Sequence, residues 1–210
     1  MARTVVASLA ALLVLGVAVL AATETENVPA DSIKGGRWTL DFTFRTPQRI
    51  ELTRPDGAKE AYWYLLYVVT NKTGEARDFA PEAALLTDHG KVAHDGLYLD
   101  VQAAVQKQYR LDHLKNSVAL LGSLKAGDDE AQQGIFIFPE VDPNMRKFQI
   151  FVTGLSGEFV TRDIPAPKPD DKPITVILRK TMDLDFACPG LDPSRDLDKC
   201  YLSGQKWIWR

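Results

Sequence analysis

Residues 61–75 read AYWYLLYVVTNKTGE, and apart from the N-terminus this is the only long apolar run in the chain. No residue from position 62 to position 69 is charged, and both alternating sets of side chains are apolar or aromatic. A strand with this pattern is buried on both faces. Asn71 and Gly74, which tolerate a positive φ angle, then supply a turn. The pattern therefore predicts a central strand that the rest of the chain covers.

The N-terminus indicates export. Arg3 precedes an apolar stretch at residues 5–20 that only Ser8 interrupts, and small residues around Ala22 offer a cleavage site. We expect residues 1–22 to be a secretory signal peptide that is removed. The alternative is an uncleaved signal anchor, although the stretch falls short of the roughly 20 residues that span a bilayer. Such an anchor would be the protein's only expected link to a membrane.

The charge of the chain is close to balanced. Lys and Arg number 25 against 28 Asp and Glu, so the formal net charge is −3, and it becomes −4 without residues 1–22. This mild charge argues against nucleic acid and against any strongly charged partner. The residues that remain after cleavage are enough for one domain with a sizeable core.

Strand patterns begin after a polar stretch at residues 23–37, which we interpret as a flexible leader. Residues 38–45 read WTLDFTFR, in which Trp38, Leu40, Phe42 and Phe44 alternate with polar residues, as in a half-buried strand. Further strands are predicted at residues 134–138 and 148–153, followed by a stiff proline-rich linker at 165–169. Even positions from Ile174 to Phe186 are mostly apolar, which predicts one long strand or two strands interrupted at Lys180.

Residues 97–114 contain neither Gly nor Pro, and Leu97, Val101, Ala104 and Val105 have helical spacing. Leu97, Leu99 and Val101 also alternate, so a helix and a short strand both remain open for this segment. At least seven short strands with at most one helix predict a mainly β protein with an antiparallel sandwich. We place the sandwich at residues 38–187, and we expect residues 188–210 to form a disulfide-closed C-terminal extension packed on it.

The aromatic strand that leads into an Asn-x-Thr-Gly turn at residues 62–74 resembles a strand of exported bacterial immunoglobulin-like β-sandwich domains of unknown function. The resemblance covers these residues in detail and the export signal in general. The Cys-Trp-Cys pattern of antibody domains is absent, because both cysteines lie far downstream. The resemblance implies an immunoglobulin-like fold and an extracytoplasmic binding or structural module, and it carries over no catalytic residue.

The two cysteines, Cys188 and Cys200, are separated by eleven residues. An even number of cysteines in an exported chain favours a disulfide bond. Pro189, Gly190 and Pro193 lie between them and allow the chain to reverse direction. We therefore predict that the two cysteines are bonded and that the loop turns back. A metal site is disfavoured, because two cysteines make an incomplete zinc site.

All three histidines stand beside an aspartate, in the pairs Asp88-His89, His94-Asp95 and Asp112-His113. Imidazole and carboxylate groups are common ligands of zinc and other divalent metals. The sequence therefore offers His89, His94 and His113 as candidate metal ligands. Two of the pairs flank turns, where Asp and His are favoured for backbone reasons, and the spacing matches no standard site.

Other motifs have structural explanations. Residues 154–157 read GLSG, but a nucleophile elbow needs another residue before its second Gly and a helix after it, so a turn is favoured. Asp192, Asp196 and Asp198 could approach calcium, yet the spacing of an EF-hand loop is missing. Residues 71–73 form a glycosylation sequon. A row of exposed rings formed by Trp63, Trp207 and Trp209 would indicate a carbohydrate-binding module, whereas core packing is the simpler role.

The sequence favours a non-enzymatic protein over an enzyme, and it assigns no catalytic residue and no cofactor. We expect an exported β-sandwich, periplasmic, secreted or in the cell envelope, that binds an envelope protein or glycan or has a structural role. The alternatives are a metal-binding protein or metal-dependent enzyme that uses the three histidines, and a carbohydrate-binding module.

Overall fold

The computed structural model describes residues 23–24, 28–164, 173–189 and 200–210. It contains fifteen strands, two α-helices and two short 3-10 helices. The predicted signal peptide, the proline-rich linker and the three aspartates at positions 192, 196 and 198 lie outside the described residues. The strands are β1 (Thr23–Glu24), β2 (Lys34–Thr39), β3 (Asp41–Phe44), β4 (Gln48–Thr53), β5 (Lys59–Thr70), β6 (Arg77–Phe79), β7 (Glu82–Thr87), β8 (Val92–His94), β9 (Lys115–Asn116), β10 (Gly122–Leu124), β11 (Gln132–Pro139), β12 (Lys147–Thr153), β13 (Ser156–Ile164), β14 (Ile174–Ala187) and β15 (Tyr201–Trp209), and the helices are α1 (Leu99–Tyr109) and α2 (Ser117–Leu120).

The predicted central strand is β5, in the middle of a five-stranded sheet. One edge of β5 pairs antiparallel with β11, and the other edge is shared by β3 and β4. β9 adds to the far side of β11 in parallel. The placement of this strand at the centre of its sheet is confirmed.

The two faces of β5 are buried by different partners. Trp63, Leu65, Tyr67 and Val69 point into the core between the sheets. The alternate residues Tyr62, Tyr64 and Leu66 pack instead against the apolar face of α1. Burial of both faces is therefore confirmed, and it arises because a sheet covers one side and a helix covers the other.

Among the described residues, the larger sheet has eight strands, with β1, β15, β14, β12, β7 and β8 side by side. β13 pairs with the first half of β14, and β2 pairs with β13. Its inner face contributes apolar side chains to the same core, among them Ile150, Leu184 and Phe186. All pairings in both sheets are antiparallel except β1 with β15 and β9 with β11. The mainly β fold class with antiparallel sheets is confirmed.

The sequence left a helix and a strand both possible for residues 97–114. The structure has a helix there, α1, from Leu99 to Tyr109. Val101 and Val105, four residues apart, are its fully buried side chains and face β5. The helix ends at Arg110, whose left-handed backbone conformation has a φ of 54°. The side chains of Gln102 and Gln106 then hold the carbonyl of Leu114, which turns the chain back toward β9.

Two boundaries differ from the sequence prediction. The predicted strand at residues 38–45 is broken at Leu40, where the chain passes from the larger sheet in β2 to the smaller sheet in β3. β2 also begins at Lys34, inside the stretch interpreted as a flexible leader. Its first residues pair through the backbone, and a Cβ atom on Gly35 would lie 2.1 Å from the Gly157 carbonyl oxygen. Because this pairing uses glycine, it leaves no apolar pattern in the sequence.

β14 is one continuous strand of 14 residues, which decides between the two alternatives for this segment. Its second half pairs with β12 and β15, and its first half pairs with β13. β15 runs along β14 from Tyr201 to Trp209, so this C-terminal segment is a strand of the larger sheet itself. The described residues contain no helix that is long and apolar enough to cross a membrane.

Candidate functional site

A tight turn between β7 and β8 carries the first Asp-His pair. The amide of Thr87 bonds the carbonyl of Lys91, and the amide of Gly90 bonds the carbonyl of Thr87. Gly90 has a φ of 76°, which glycine adopts without strain. This backbone arrangement presents Asp88 and His89 at the tip of the hairpin.

His89 lies between the carboxylate of Asp88, its neighbour in the chain, and that of Asp142, which is 53 residues away. Its Nδ1 atom is 2.6 Å from Oδ2 of Asp142 and 3.5 Å from Oδ1 of Asp88. One donor atom from each of the three residues lies within 4.8 Å of the other two. We call Asp88, His89 and Asp142 the His89 cluster.

The backbone orients both carboxylates of the His89 cluster. Oδ2 of Asp88 accepts hydrogen bonds from the amides of Arg146 and Lys147, each at 3.2 Å. Oδ1 of Asp142 accepts the amide of Asn144 at 3.2 Å. Each carboxylate therefore uses one oxygen on the loop after β11 and turns the other oxygen toward His89.

The electrostatics of the cluster favour an ionised Asp142. Burial raises the pKa of this carboxyl, which is 3 % exposed, but hydrogen bonds from His89, the Asn144 amide and the Thr87 hydroxyl outweigh burial and lower it below its ordinary value. The ammonium group of Lys91 is 3.9 Å from Oδ1 of Asp142. The cluster thus combines two carboxylates, one imidazole and one nearby cation.

The structure does not add the other two histidines to this cluster. His94 is an exposed residue at the end of β8, where it pairs with Ala84. His113 is exposed in the loop between α1 and β9. His89 therefore meets carboxylates rather than the other candidate ligands. Asp142 was missed because no local pattern in the loop after β11 links it to a residue 53 positions earlier.

The second Asp-His pair has a structural role through its aspartate. Oδ1 of Asp95 accepts the amide of Ile137 at 2.7 Å, and Oδ2 accepts the hydroxyl of Ser117 at 2.5 Å. Burial raises the pKa of Asp95, and hydrogen bonds from Ser117, Ile137 and Gly96 oppose this rise only in part. Asp95 thereby ties the chain after β8 to the central sheet and to α2.

The predicted disulfide is confirmed. Cys188 follows β14 and Cys200 precedes β15, and the two are bonded with their Cα atoms 4.0 Å apart. Both cysteines are buried in the core between the sheets. The bond therefore links two neighbouring strands, as the prediction of a returning loop required.

The motif at residues 154–157 is a turn. Gly154 has a φ of 85°, Leu155 is fully buried, and the Ser156 hydroxyl donates a hydrogen bond to the carbonyl of Trp38 at 2.9 Å. The side chain of Ser156 thus supports the passage from β12 to β13. The turn interpretation is confirmed.

Trp63, Trp207 and the sequon asparagine occupy structural positions, and Trp209 is half-buried at the end of β15. Trp63 is 2 % exposed, and its indole nitrogen is 3.3 Å from Glu140. Trp207 is half-buried and packs on the core cluster, beneath the ammonium group of Lys180. Asn71 is fully buried, with its amide bonded to the carbonyls of Glu75 and Leu124, both at 2.8 Å. Neither the Trp63 ring nor the Asn71 amide is accessible to a sugar.

The outer halves of β13 and β14 form a two-stranded ribbon, residues 160–164 paired with residues 174–178, which we call the arm. Ile164 and Ile174 are direct partners, 49 % and 53 % exposed, and Ile177 is 59 % exposed. β2 pairs with β13 only up to Phe159, and β15 reaches β14 only from Lys180 onward. Among the described strands, none pairs with the outer edges of the arm.

Comparison with known proteins assigns no family to this arrangement. The chain matches no family model, no curated protein and no solved structure.

Proposed function

We propose that the protein is an exported, non-enzymatic, immunoglobulin-like β-sandwich that binds another protein of the cell envelope through the arm. Export is supported by the apolar N-terminal segment and by the disulfide, because disulfide bonds form and persist in oxidising compartments. A periplasmic or surface location fits both observations. The binding role rests on one observation, the exposed isoleucines of the arm.

An isolated two-stranded ribbon is marginally stable in water. Large apolar side chains exposed on such a ribbon are unusual for a monomer and are typical of a surface that a partner covers. Ile164, Ile174 and Ile177 are each about half exposed, although β-branched residues in a sheet stabilise mainly by packing. Burial under a partner would recover roughly 25 cal/mol for each Å² of apolar surface that is removed from water. The arm therefore has the properties of a surface that a partner covers.

A protein partner suits the arm better than a glycan does. The exposed side chains are aliphatic, whereas the Trp63 ring that a carbohydrate-binding module would use lies in the core. Backbone edges that lack a neighbouring strand accept an added strand through main-chain hydrogen bonds. We therefore propose that an extended segment of an envelope protein pairs with an edge of the arm. Its alternating side chains would contact Ile164 and Ile174 on one face and Ile177 on the other.

The test is site-specific photo-crosslinking in the native host, followed by fractionation of the cell envelope. A crosslinker at Ile177 should give one adduct of defined mass, and the adduct should disappear when Ile164→Ser and Ile174→Ser are introduced together. The control position is Val118 on α2, which is 63 % exposed and lies outside the arm. Equal adducts from both positions, or none from Ile177, would refute the binding role of the arm.

The same preparation tests export. Mass spectrometry of the purified protein should show a mature N-terminus near Ala22 or Thr23. An intact Met1 or Ala2 terminus in the membrane fraction would support the signal anchor instead. The purified protein can also be tested on a glycan array. Glycan binding that the two isoleucine substitutions leave unchanged would support the carbohydrate-binding alternative.

A further inference from the structure

We propose that Asp88, His89 and Asp142 form a binding site for a single divalent transition-metal ion, for which zinc is the best fit. This proposal is independent of the arm and of the envelope partner. It also assigns a different ligand set from the three histidines that the sequence offered.

The positions of the donor atoms support the site. A tetrahedral zinc ion with bonds of about 2.0–2.1 Å spaces its ligand atoms roughly 3.3 Å apart. Nδ1 of His89 is 3.5 Å from Oδ1 of Asp88, which is close to that spacing, and 2.6 Å from Oδ2 of Asp142. The His89–Asp142 pair would have to open by less than about 1 Å, and the two carboxylate oxygens lie within 4.8 Å of each other.

The hydrogen bonds around the cluster are of the kind that orient metal ligands. Carboxylate ligands are commonly held by outer hydrogen bonds to the backbone, which fix the direction of the free oxygen. Asp88 and Asp142 each have such a bond on one oxygen, from the amides of Lys147 and Asn144 respectively. Their other oxygens already point to the same imidazole nitrogen, so little reorganisation is needed for binding.

Charge also favours a cation at this point. Two carboxylate oxygens converge on Nδ1 of His89, that of Asp142 at 2.6 Å and that of Asp88 at 3.5 Å. The ammonium group of Lys91 lies 3.9 Å from Oδ1 of Asp142, the oxygen that accepts the Asn144 amide. A divalent ion between the two oxygens would balance the charge of both carboxylates at once.

The donor set selects among metals. An imidazole nitrogen suits zinc, copper and nickel, whereas magnesium and calcium prefer oxygen ligands alone. Three protein ligands leave a fourth position for water or for a ligand from outside. The His89 side chain is 54 % exposed, so an ion can reach the cluster directly from solvent.

The experiment is a zinc titration of the exported, disulfide-intact protein after chelator treatment and removal of any affinity tag. Calorimetry at neutral pH should show one site per chain. His89→Gln and Asp142→Asn should each weaken zinc binding by at least about 10-fold, because each removes a ligand or its charge. Cobalt bound at the same site should give a visible absorption spectrum that both substitutions abolish.

His94→Ala and His113→Ala are the matched controls, since both remove an exposed histidine outside the cluster. We expect them to bind zinc as the unchanged protein does. Asp142 is buried, so its variant is checked by thermal unfolding, and His89→Gln at an exposed position gives the result that does not depend on folding. Zinc binding that His89→Gln leaves unchanged, or that the His94 or His113 variants weaken equally, overturns the proposal. Weak binding at several sites overturns it as well, because the His89–Asp142 contact is then only an ion pair.

Discussion

Tyr67 lies directly over the backbone of Gly134, its register partner on the neighbouring strand β11. A Cβ atom at Gly134 would sit 2.1 Å from Cζ of the tyrosine ring, which also stacks on Phe136 with ring centroids 4.5 Å apart. Glycine at this position therefore makes room for an aromatic side chain in the middle of the core. The central sheet depends on this close approach.

Gly134→Ala should destabilise the protein because the new methyl group overlaps the Tyr67 ring, which is packed on both sides. Overpacking of a core typically costs about 1–3 kcal/mol. Urea unfolding of the purified variant measures the change. Combined with Tyr67→Leu, the alanine should cost less than it does alone, as expected for two residues in contact. An alanine variant with unchanged stability would contradict this packing.

Trp63→Ala should strongly destabilise the domain, because the indole is almost fully buried and packs on Phe148, with ring centroids 5.3 Å apart. Truncation of a buried Trp to Ala costs about 3–5 kcal/mol, a large part of the stability of a typical domain. Denaturant unfolding gives the value. Val118→Ala, at an exposed position, should change stability by less than about 0.5 kcal/mol. A Trp63 variant with the original melting temperature would refute the central-strand assignment.

Asn71→Ala should cost at least about 2 kcal/mol, because it leaves buried backbone groups without a partner. The side chain donates to the carbonyls of Glu75 and Leu124 and accepts the amide of Thr73, so it ends β5 and closes the following turn. Thermal unfolding measures the loss. Lys72→Ala, at the exposed neighbouring position, is the control and should have little effect. Similar stability of the two variants would mean that water replaces these hydrogen bonds without cost.

Replacement of both Cys188 and Cys200 by Ser should lower stability by about 2–4 kcal/mol in the chain-entropy model. The bond joins the end of β14 to the start of β15, so its loss should loosen the C-terminal strand before the central sheet. Hydrogen exchange should therefore rise around Trp207 and Trp209 while β5 stays protected. Thiol labelling of the native, unreduced protein is the direct check, and two freely reactive thiols would show that the bond is absent.

Asp95→Asn should stabilise the protein at pH 7. The folded-state pKa of Asp95 is raised above its ordinary value of 3.8, so the contribution of this group to stability falls as the pH rises from that value through the folded pKa. An asparagine can accept the Ile137 amide on its oxygen and donate its amide to the Ser117 hydroxyl, which rotates to accept it, without a buried charge. Its advantage should therefore be largest at neutral pH and should shrink in acid.

Unfolding experiments at pH 7 and pH 4 compare the two proteins. Asp129→Asn, which removes an exposed carboxylate, should show little of this pH dependence. A constant difference between Asp95→Asn and the unchanged protein at both pH values would mean that charge burial is not its cause.

The features that could be predicted from the sequence are those with a local pattern. Residues 62–69 are apolar or aromatic at every position, which is enough to identify a strand buried on both faces. Cys188 and Cys200 are the only cysteines in the sequence, so an intramolecular disulfide could join only these two residues. In the same way, the alternation of Leu40, Phe42 and Phe44 with exposed residues shows which side faces the core.

Only the tertiary structure showed which strands and helices pack against each other. α1 rather than a second sheet covers Tyr62 and Tyr64, and β15 joins the larger sheet along its whole length. The sequence also offered three histidines as one set, whereas the fold brings His89 to Asp142. Side-chain alternation reports burial within one segment, but partners far apart in the chain are set by sheet register and loop closure, which leave no local pattern.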